Sequence, residues 1–378
     1  MVSTVKKLVW FGEIKWEYLV TRKQQVLSRF PKEYEILYIE PYVVGKQQHW
    51  LPRRLGNITV LTIPFIKNIP PSQLATLQDQ RFVRWTMAIL GTAYFQLWAI
   101  LLGFAGKDRW IGLSAVHWGK VAARLDAALH FYDANDAHLD FPGTPNWLRE
   151  YLVAYLSKAD VCFAVSPEIE AKLKTLGASN TKLLGNGVDF DHFSRPQPIP
   201  QLMQGIERPI LGYAGAMDWL DSTLIQQICR AYPEHEVVLI GPEIRPGWFT
   251  SQTEFEGLKN LRYLGRVPYS ELPAYVQKFD VALIPFVVDE LTKPLNPNKL
   301  YEYSAAGKPV VSMNYSSTID KLKDVIFVGD THEHFLACIT EALVQPQDGK
   351  RTDLAKANSW DEVSQNLLAE LKRLCDRS

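Results

Sequence analysis

Cysteine is scarce in this chain: four residues in 378, Cys162, Cys229, Cys338 and Cys375, with no C-x-x-C pair and no Cys/His cluster. That excludes a disulfide framework and a structural zinc site, and the expectation is a reduced, cytoplasmic protein. A surplus of either charge is missing too, since 41 lysines and arginines balance 41 aspartates and glutamates. Without a basic tail or an acidic tract, nothing marks a nucleic-acid partner or a single-sign polymer substrate. The opening "MVSTVKKLVWFGEIKW" lacks the apolar length and the small-residue cleavage site of a secretory signal, so its apolar run reads as a first strand. His332 and His334 flank Glu333 without H-E-x-x-H spacing or a third ligand nearby, and "THEHF" reads as a surface loop.

Formal charge is absent from one long stretch, the 22 residues from Trp85 to Gly106, bounded by Arg84 and Lys107. The length meets the requirement for a membrane span, but Thr86, Gly91, Thr92, Gln96 and Gly103 dilute its apolarity. A core helix, a helix touching a membrane surface and a true span all fit.

The length suits two domains. Strand, turn and helix alternate along the chain, which predicts α/β domains with parallel sheets covered by helices on both faces. Strands are expected at Lys7–Phe11, Glu35–Ile39, Ile58–Thr62, Ala127–Tyr132, Val161–Val165 and Thr181–Leu184, with helices between. The segment 194–209, "SRPQPIPQLMQGIERP", has little periodicity and reads as a linker between a first domain, 1–193, and a second, 210–356. In the second, strands are expected at Ile210–Tyr213, Glu236–Ile240, Leu261–Tyr263, Val281–Pro285 and Val310–Ser312. "KADVCFAVSPEIEAKL" and "KFDVALIPFVVDEL" echo each other and suggest domains of similar build. Ser359 and Glu362 have capping-box spacing, so 357–378 is expected to hold a last helix able to pack back on the first domain.

The chemistry is sharpest in "KPLNPNKLYEYSAAGKPVVSM", residues 293–313. Asn296 suits an N-cap, Pro297 the first helical position, and Gly307 the helix end. Lys299 then falls in the first turn, where the helix dipole opposes a cation by about 0.3–1 kcal/mol unless an anion binds in the same place. Phosphate fits. Glu302, three residues on and on the same face, would accept hydrogen bonds from a ribose diol. The plain alternative is a solvated ion pair on a surface helix.

Ligands of open parallel sheets bind beyond the carboxyl ends of the strands. Four loops at such ends carry suitable residues: "GYAGAMDWLDS", "IGPE", "LGRVP" and the approach to Lys299. Gly215 would bring backbone N–H groups near a phosphate, and Arg266 would add a positive charge.

"LLGNGVDFDHF", "ILGYAG", "VVLIGPE", "LRYLGRVPYSELPAYVQKFDVALIPF" and "NKLYEYSAAGKPVVS", in that order, resemble the successive blocks of GT-B nucleotide-sugar glycosyltransferases. "WEYLVTRKQQVLSRF" and "FYDANDAHLDFPG" resemble the bacterial branch that makes exopolysaccharides and cell-wall polymers. The resemblance implies two Rossmann-like domains facing a central cleft and a nucleotide diphosphate-sugar as donor substrate, with no separate cofactor. It further implies Glu302 on the donor ribose, Lys299 on the diphosphate, Gly215 at the phosphate loop, Arg266 near the nucleotide and Asn298 among the donor-binding residues. Two departures stand out. Many retaining relatives carry a glutamate eight positions before the one matching Glu302, where this chain has Pro294, and the arginine-plus-lysine pair after the phosphate-loop glycine is replaced by Asp218 and Asp221. Retaining stereochemistry is therefore not assumed, and Lys299 carries more of the diphosphate charge.

In the first domain Asp133 and Asp136 of "YDANDAH" follow a predicted strand, and a carboxylate there would remove the acceptor hydroxyl's proton. Asp136 is the expected base and Asp133 a support; either would alternatively cap the loop. His117 and His138 are lesser candidates. Arg22 and Gln25 line the acceptor side by resemblance. Asp189 and Asp191 form a D-x-D within an interdomain block, so no metal site is expected. The functional expectation is sugar transfer to a hydroxyl of a glycan or lipid-linked acceptor by a cytoplasmic enzyme, with membrane-surface contact through 85–106. A nucleotide-sugar epimerase of the same fold and a non-catalytic partner subunit are the alternatives.

Overall fold

The computed structural model describes residues 6–18, 20–43, 49–63, 78–345 and 349–376. The chain forms two compact units, Met1–Gly185 with Val363–Ser378, and Asn186–Glu362. The first holds β1 (Lys6–Phe11), β2 (Tyr34–Pro41), β3 (Arg53–Leu55), β4 (Ile58–Ile63), β5 (Trp110–Leu113), β6 (Leu129–Ala134), β7 (Val161–Ala164) and β8 (Thr181–Leu183). These make one sheet in the order β3-β4-β2-β1-β5-β6-β7-β8. It is parallel except at its edge, where β3 runs antiparallel to β4. The second unit holds β9 (Ile210–Ala214), β10 (Glu236–Ile240), β11 (Leu261–Tyr263), β12 (Val281–Ile284), β13 (Val310–Met313) and β14 (Phe327–Gly329), all parallel, in the order β11-β10-β9-β12-β13-β14. Strand order reverses beside β9, and the carboxyl ends of β9 and β12 flank that switch point.

Continuous apolar runs such as Leu8–Phe11 and Val237–Ile240 are buried on both faces, as a parallel sheet under helices requires. The two echoing stretches use one device. Asp160, just before β7, accepts the N–H of His130 in β6 at 2.7 Å, and Asp280, just before β12, accepts the N–H of Ile210 in β9 at 2.7 Å.

Several expectations need correction. β3, β5 and β14 were not foreseen: β3 is a charged edge and β14 has three residues. The stretch 194–209 is not a free linker, because Phe193 and Met203 are buried in the second core and the Gln277 amide donates to the carbonyls of Phe193 and Arg195. The division falls at Gly185 instead. "THEHF" opens a helix, His332–Val344, with Thr331 as N-cap accepting the His334 N–H, and Phe335, Cys338, Ile339 and Ala342 on its buried face. The last helix, Trp360–Cys375, starts where Ser359 Oγ accepts the Glu362 N–H at 3.2 Å. Further on, Ser364 Oγ donates to the carbonyl of Val26, within the first unit.

The charge-free stretch lies mostly in the helix Arg81–Leu101, whose buried residues are Ala88, Gly91, Thr92, Phe95 and Ala99. Phe95 meets Phe11 with ring centroids 5.4 Å apart. No described helix is long and apolar enough to cross a membrane, which removes the spanning reading.

Candidate active site

The helix carrying Lys299 and Glu302 runs Asn298–Ala305, one residue later than expected, with Pro297 at the N-cap. Asn296 does not cap it: its Oδ1 accepts the N–H of Asn186 at 3.2 Å, and its carbonyl accepts the Asn186 amide at 2.7 Å. Proline offers no side-chain acceptor, so the first turn keeps its N–H groups uncapped, and it contains no acidic residue. Gly307, at φ +71°, ends the helix as expected of a residue free to enter the left-handed region. Tyr303 ties the helix to the end of β9, its hydroxyl accepting the Ala214 N–H at 2.7 Å and lying 3.2 Å from the Ala214 carbonyl.

Lys299 and Glu302 are half-buried, and neither makes a hydrogen bond or ion pair among the described residues. The ammonium lies over the rings of Phe286, at 4.8 Å, and Tyr213, at 5.6 Å. Burial lowers the lysine's pKa and raises the glutamate's, each partly opposed by the other's charge. Asn298 Oδ1, buried at the helix start, has no partner either. Three polar side chains of this uncapped helix thus keep hydrogen-bonding capacity unspent among the described residues, which is costly unless a ligand supplies the partners.

The strand ends beside them are drawn close by glycine. Gly215 donates its N–H to the Ile240 carbonyl and Gly241 donates to the Gly265 carbonyl, both at 2.8 Å. A Cβ on Gly241, at φ +141°, would stand 1.9 Å from the Gly215 oxygen, and one on Gly215 would stand 2.6 Å from Lys299 Cε. Gly215 therefore makes room for the lysine stem; its own N–H is already taken and is not offered to a phosphate. Arg266, just beyond β11, is exposed and unpaired among the described residues. Asp218 holds Arg245 at 2.9 Å and accepts two backbone N–H groups, and Asp221 caps the helix Ser222–Ala231, so neither is left over for a ligand. Arg245 is a cation that sequence reading missed.

The first unit gathers a second polar cluster. Arg22 forks onto Asp133, its Nε and Nη2 3.0–3.1 Å from the carboxylate, and donates further to the carbonyls of Gly185 and Leu184. Both residues are buried, which makes this pair a brace. Gln25 is buried as well, its Oε1 accepting from Arg29. Asp136 differs. One oxygen accepts the Ala137 N–H at 2.9 Å, and burial raises its pKa above the ordinary carboxylate value against the pull of Lys23. Lys23 pairs with Glu13, which also accepts from Ser114 Oγ at 3.0 Å, and burial brings the lysine's pKa down to about 8. His138, whose Nε2 has no partner among the described residues, has its pKa pushed down to about 4 by burial and by Lys23. Lys23 and Glu13 were missed in the sequence, although Lys23 shows the same oddity as Lys299, a cation in a helix's first turn. Asp189 caps the helix Phe190–Ser194 and Asp191 pairs with Arg195. His332 bonds Asp221 at 3.0 Å, and among the described residues no cluster of metal-ligating side chains occurs.

Two α/β units with parallel sheets, one carrying beside its switch point a lysine and a glutamate unpaired among the described residues, define the class as the GT-B architecture. Residues 208–345, within the second unit, match the family described as glycosyl transferases group 1. The chain is 29% identical over 204 residues to a protein of Bacillus subtilis (strain 168) described as a teichuronic acid biosynthesis glycosyltransferase, TuaH. That match spans about half of each protein, 51% of this chain and 51% of the relative. Among solved structures, the sucrose-phosphate synthase of Thermosynechococcus elongatus aligns with a TM-score of 0.73 at 13% identity, covering 99% of this chain and 100% of that one. A trehalose-6-phosphate synthase, OtsA, aligns with a TM-score of 0.73 at 13% identity, covering 97% and 99%. A structure described as trehalose-6-phosphate from E. coli bound with UDP-2-fluoro glucose gives 0.71. At such identities the likeness is one of fold.

Proposed function

We propose that the protein transfers a sugar from a nucleotide diphosphate-sugar, held by the second unit, to a hydroxyl of a glycan or lipid-linked acceptor, held by the first. The observation that carries this is the pair Lys299 and Glu302, half-buried, one helical turn apart and unpaired among the described residues at an uncapped helix start. A diphosphate would satisfy Lys299, Asn298 would fix its approach, and the ribose hydroxyls would donate to Glu302. Arg266 would lie near the nucleotide. Leaving-group charge falls on Lys299 and the helix N–H groups, so the scheme needs no metal ion. Each charge-assisted bond would contribute about 1.5–3 kcal/mol. The group 1 match and the cell-wall-polymer description of the Bacillus subtilis relative support the reading.

Asp136 is the proposed base. Its raised pKa makes it a better proton acceptor than an exposed aspartate, and its loop stands beyond the carboxyl end of β6. Asp133 supports it through Arg22, and Arg22 and Gln25 shape the acceptor side from beneath. The scarce, unlinked cysteines support a cytoplasmic site of action, and a lipid-linked acceptor would place it at the inner face of the membrane.

The test is acceptor-dependent release of nucleotide diphosphate, with Asp136→Asn as the variant. Release is expected to fall by about 10²–10⁴-fold while donor binding is unchanged. Donor binding with no release in the presence of glycan or lipid-linked acceptors would argue for an epimerase or a non-catalytic subunit.

A further inference from the structure

The loop after β1, residues 12–18, is tied down at several points and still shows large rings to solvent. The Trp16 N–H donates to Glu40 at 3.0 Å, and its carbonyl accepts the Gln24 amide at 3.0 Å. Its indole meets the Tyr38 ring with centroids 5.0 Å apart, and the Tyr38 hydroxyl donates to the Ile14 carbonyl at 3.0 Å. Gly12 makes room for this, since a Cβ there would stand 2.0 Å from the Tyr38 oxygen. Arg53 then fastens the sheet edge to the loop, pairing with Glu17 at 2.6 Å and with Glu40 at 3.3 Å. Just before Arg53 in the chain stand Trp50 and Leu51, and the Trp50 ring lies 6.0 Å from that of Tyr42. Tyr18 (50% exposed), Trp50 (58%) and Leu51 (71%) are thus carried by segments braced on one another, with Trp16 and Tyr42 partly exposed. Large exposed rings on a braced surface are preorganised for a ligand.

Charge and position identify that ligand. Lys23 pairs with Glu13, Arg53 with Glu17 and Glu40, and Lys15 lies in the fields of Glu40 and Glu17 as well as of Arg53. Arg54, next along β3, turns to the opposite face of the strand and donates to the Gly56 carbonyl at 3.3 Å. Three cations therefore meet three carboxylates among the described residues, which leaves no surplus for a phosphate or an anionic headgroup. Paired charges that still share hydrogen bonds, set beside flat rings, suit a sugar: its hydroxyls bond the polar groups and its C–H faces cover the rings. Position adds length. Glu13 follows β1 and accepts from Ser114, which follows β5, and strand order in the first sheet reverses between those two strands. Lys23, paired with Glu13, also acts on Asp136, so the surface begins beside the proposed base. From β1 outward to β3 is three strand spacings, about 14 Å, more than one pyranose ring covers. We propose that the first unit binds a glycan chain of several sugars, the terminal one at Glu13, Lys23 and Asp136 and the preceding ones stacked on Trp16, Tyr18 and Trp50. This rests on the transferase reading above and narrows its acceptor to a glycan chain.

The test is a glycan array of hexose and N-acetylhexosamine probes, from single sugars to hexasaccharides, read with the full chain and followed by calorimetry on the strongest probe. The variants are Tyr18→Ala with Trp50→Ala, and the conservative Tyr18→Phe with Trp50→Phe; both positions are exposed, so the fold tolerates the changes. Parent binding is expected to strengthen with chain length. The alanine pair should bind the strongest probe about tenfold more weakly and lose the length dependence, which the phenylalanine pair keeps. Nucleotide diphosphate binding should be equal in all three. A parent that binds no probe, or binds a single sugar as tightly as a chain, overturns the proposal, and so does an alanine pair that binds like the parent. Sedimentation with phosphatidylglycerol vesicles, or dimerisation, that the alanine pair abolishes would also overturn it, because the rings would then serve a lipid or a second copy. Nucleotide binding without glycan binding strikes the glycan surface alone. Glycan binding without nucleotide binding strikes the transferase reading and leaves the surface standing.

Discussion

Both units place a lysine in the first turn of a helix that follows a strand of a parallel sheet, and they treat it in opposite ways. Lys23 is buried against Glu13, with Asp133 and Asp136 adding their fields, and its neighbour Arg22 is locked onto Asp133. Lys299 has aromatic faces around it and Glu302 one turn away, and no bonded partner among the described residues. Where the charges are paired, they brace the chain: Arg22 joins the first helix to β6 and to the residues after β8. The unpaired ones keep their capacity for something that arrives. Burial without pairing costs stability, and such a cost is characteristic of a site held ready for a ligand.

The largest expected effect follows from breaking the paired side. Asp133→Ala would leave the Arg22 guanidinium buried without its carboxylate and should cost about 3–5 kcal/mol in denaturant unfolding. Lys299→Ala breaks no ion pair or hydrogen bond among the described residues, removing only the field at Glu302, and should change stability by less than about 1 kcal/mol. Equal losses in the two variants would erase the distinction.

The smaller effect is on pH dependence. A depressed lysine pKa means that the ligand-free fold binds fewer protons than the unfolded chain between the folded value and the ordinary 10.5, so ligand-free stability rises with pH through that window. A bound diphosphate favours the charged ammonium and draws the pKa back up. Binding is therefore expected to take up protons on the alkaline side and to weaken as pH rises toward 10.5. Glu302, raised by burial, gives the opposite sign on the acid side: ribose hydroxyls favour its ionised form, so binding there releases protons. Calorimetry in buffers of different ionisation heat reads both. Lys299→Ala should abolish the alkaline uptake alone.

Much of this was legible in the residues because parallel strands read as unbroken apolar runs and because a cation at a helix start conflicts with local electrostatics. β10 and β11 occur at their expected residues, Glu236–Ile240 and Leu261–Tyr263. β5 was missed because "RWIGL" follows the charge-free stretch and shares its apolarity, and β3 because an edge strand of two arginines and a leucine shows no run. The helix His332–Val344 carries a helical apolar period that its two histidines obscured. The site divides in the same way. Lys299 and Glu302 stand three residues apart and announce themselves, whereas Arg22 and Asp133 are 111 residues apart and only the folded chain shows that they are spent on each other. Gly215 is a related case: the glycine was visible, but that its N–H is bonded to Ile240 was not.

The most direct test of the central claim is calorimetric titration of nucleotide diphosphates and their sugars into the parent, Lys299→Ala and Glu302→Ala. Binding of one nucleotide that weakens about tenfold or more in either variant, about 1.4 kcal/mol, is the predicted result. No binding by the parent, or equal binding by all three, would mean that the unpaired lysine and glutamate are not a donor site.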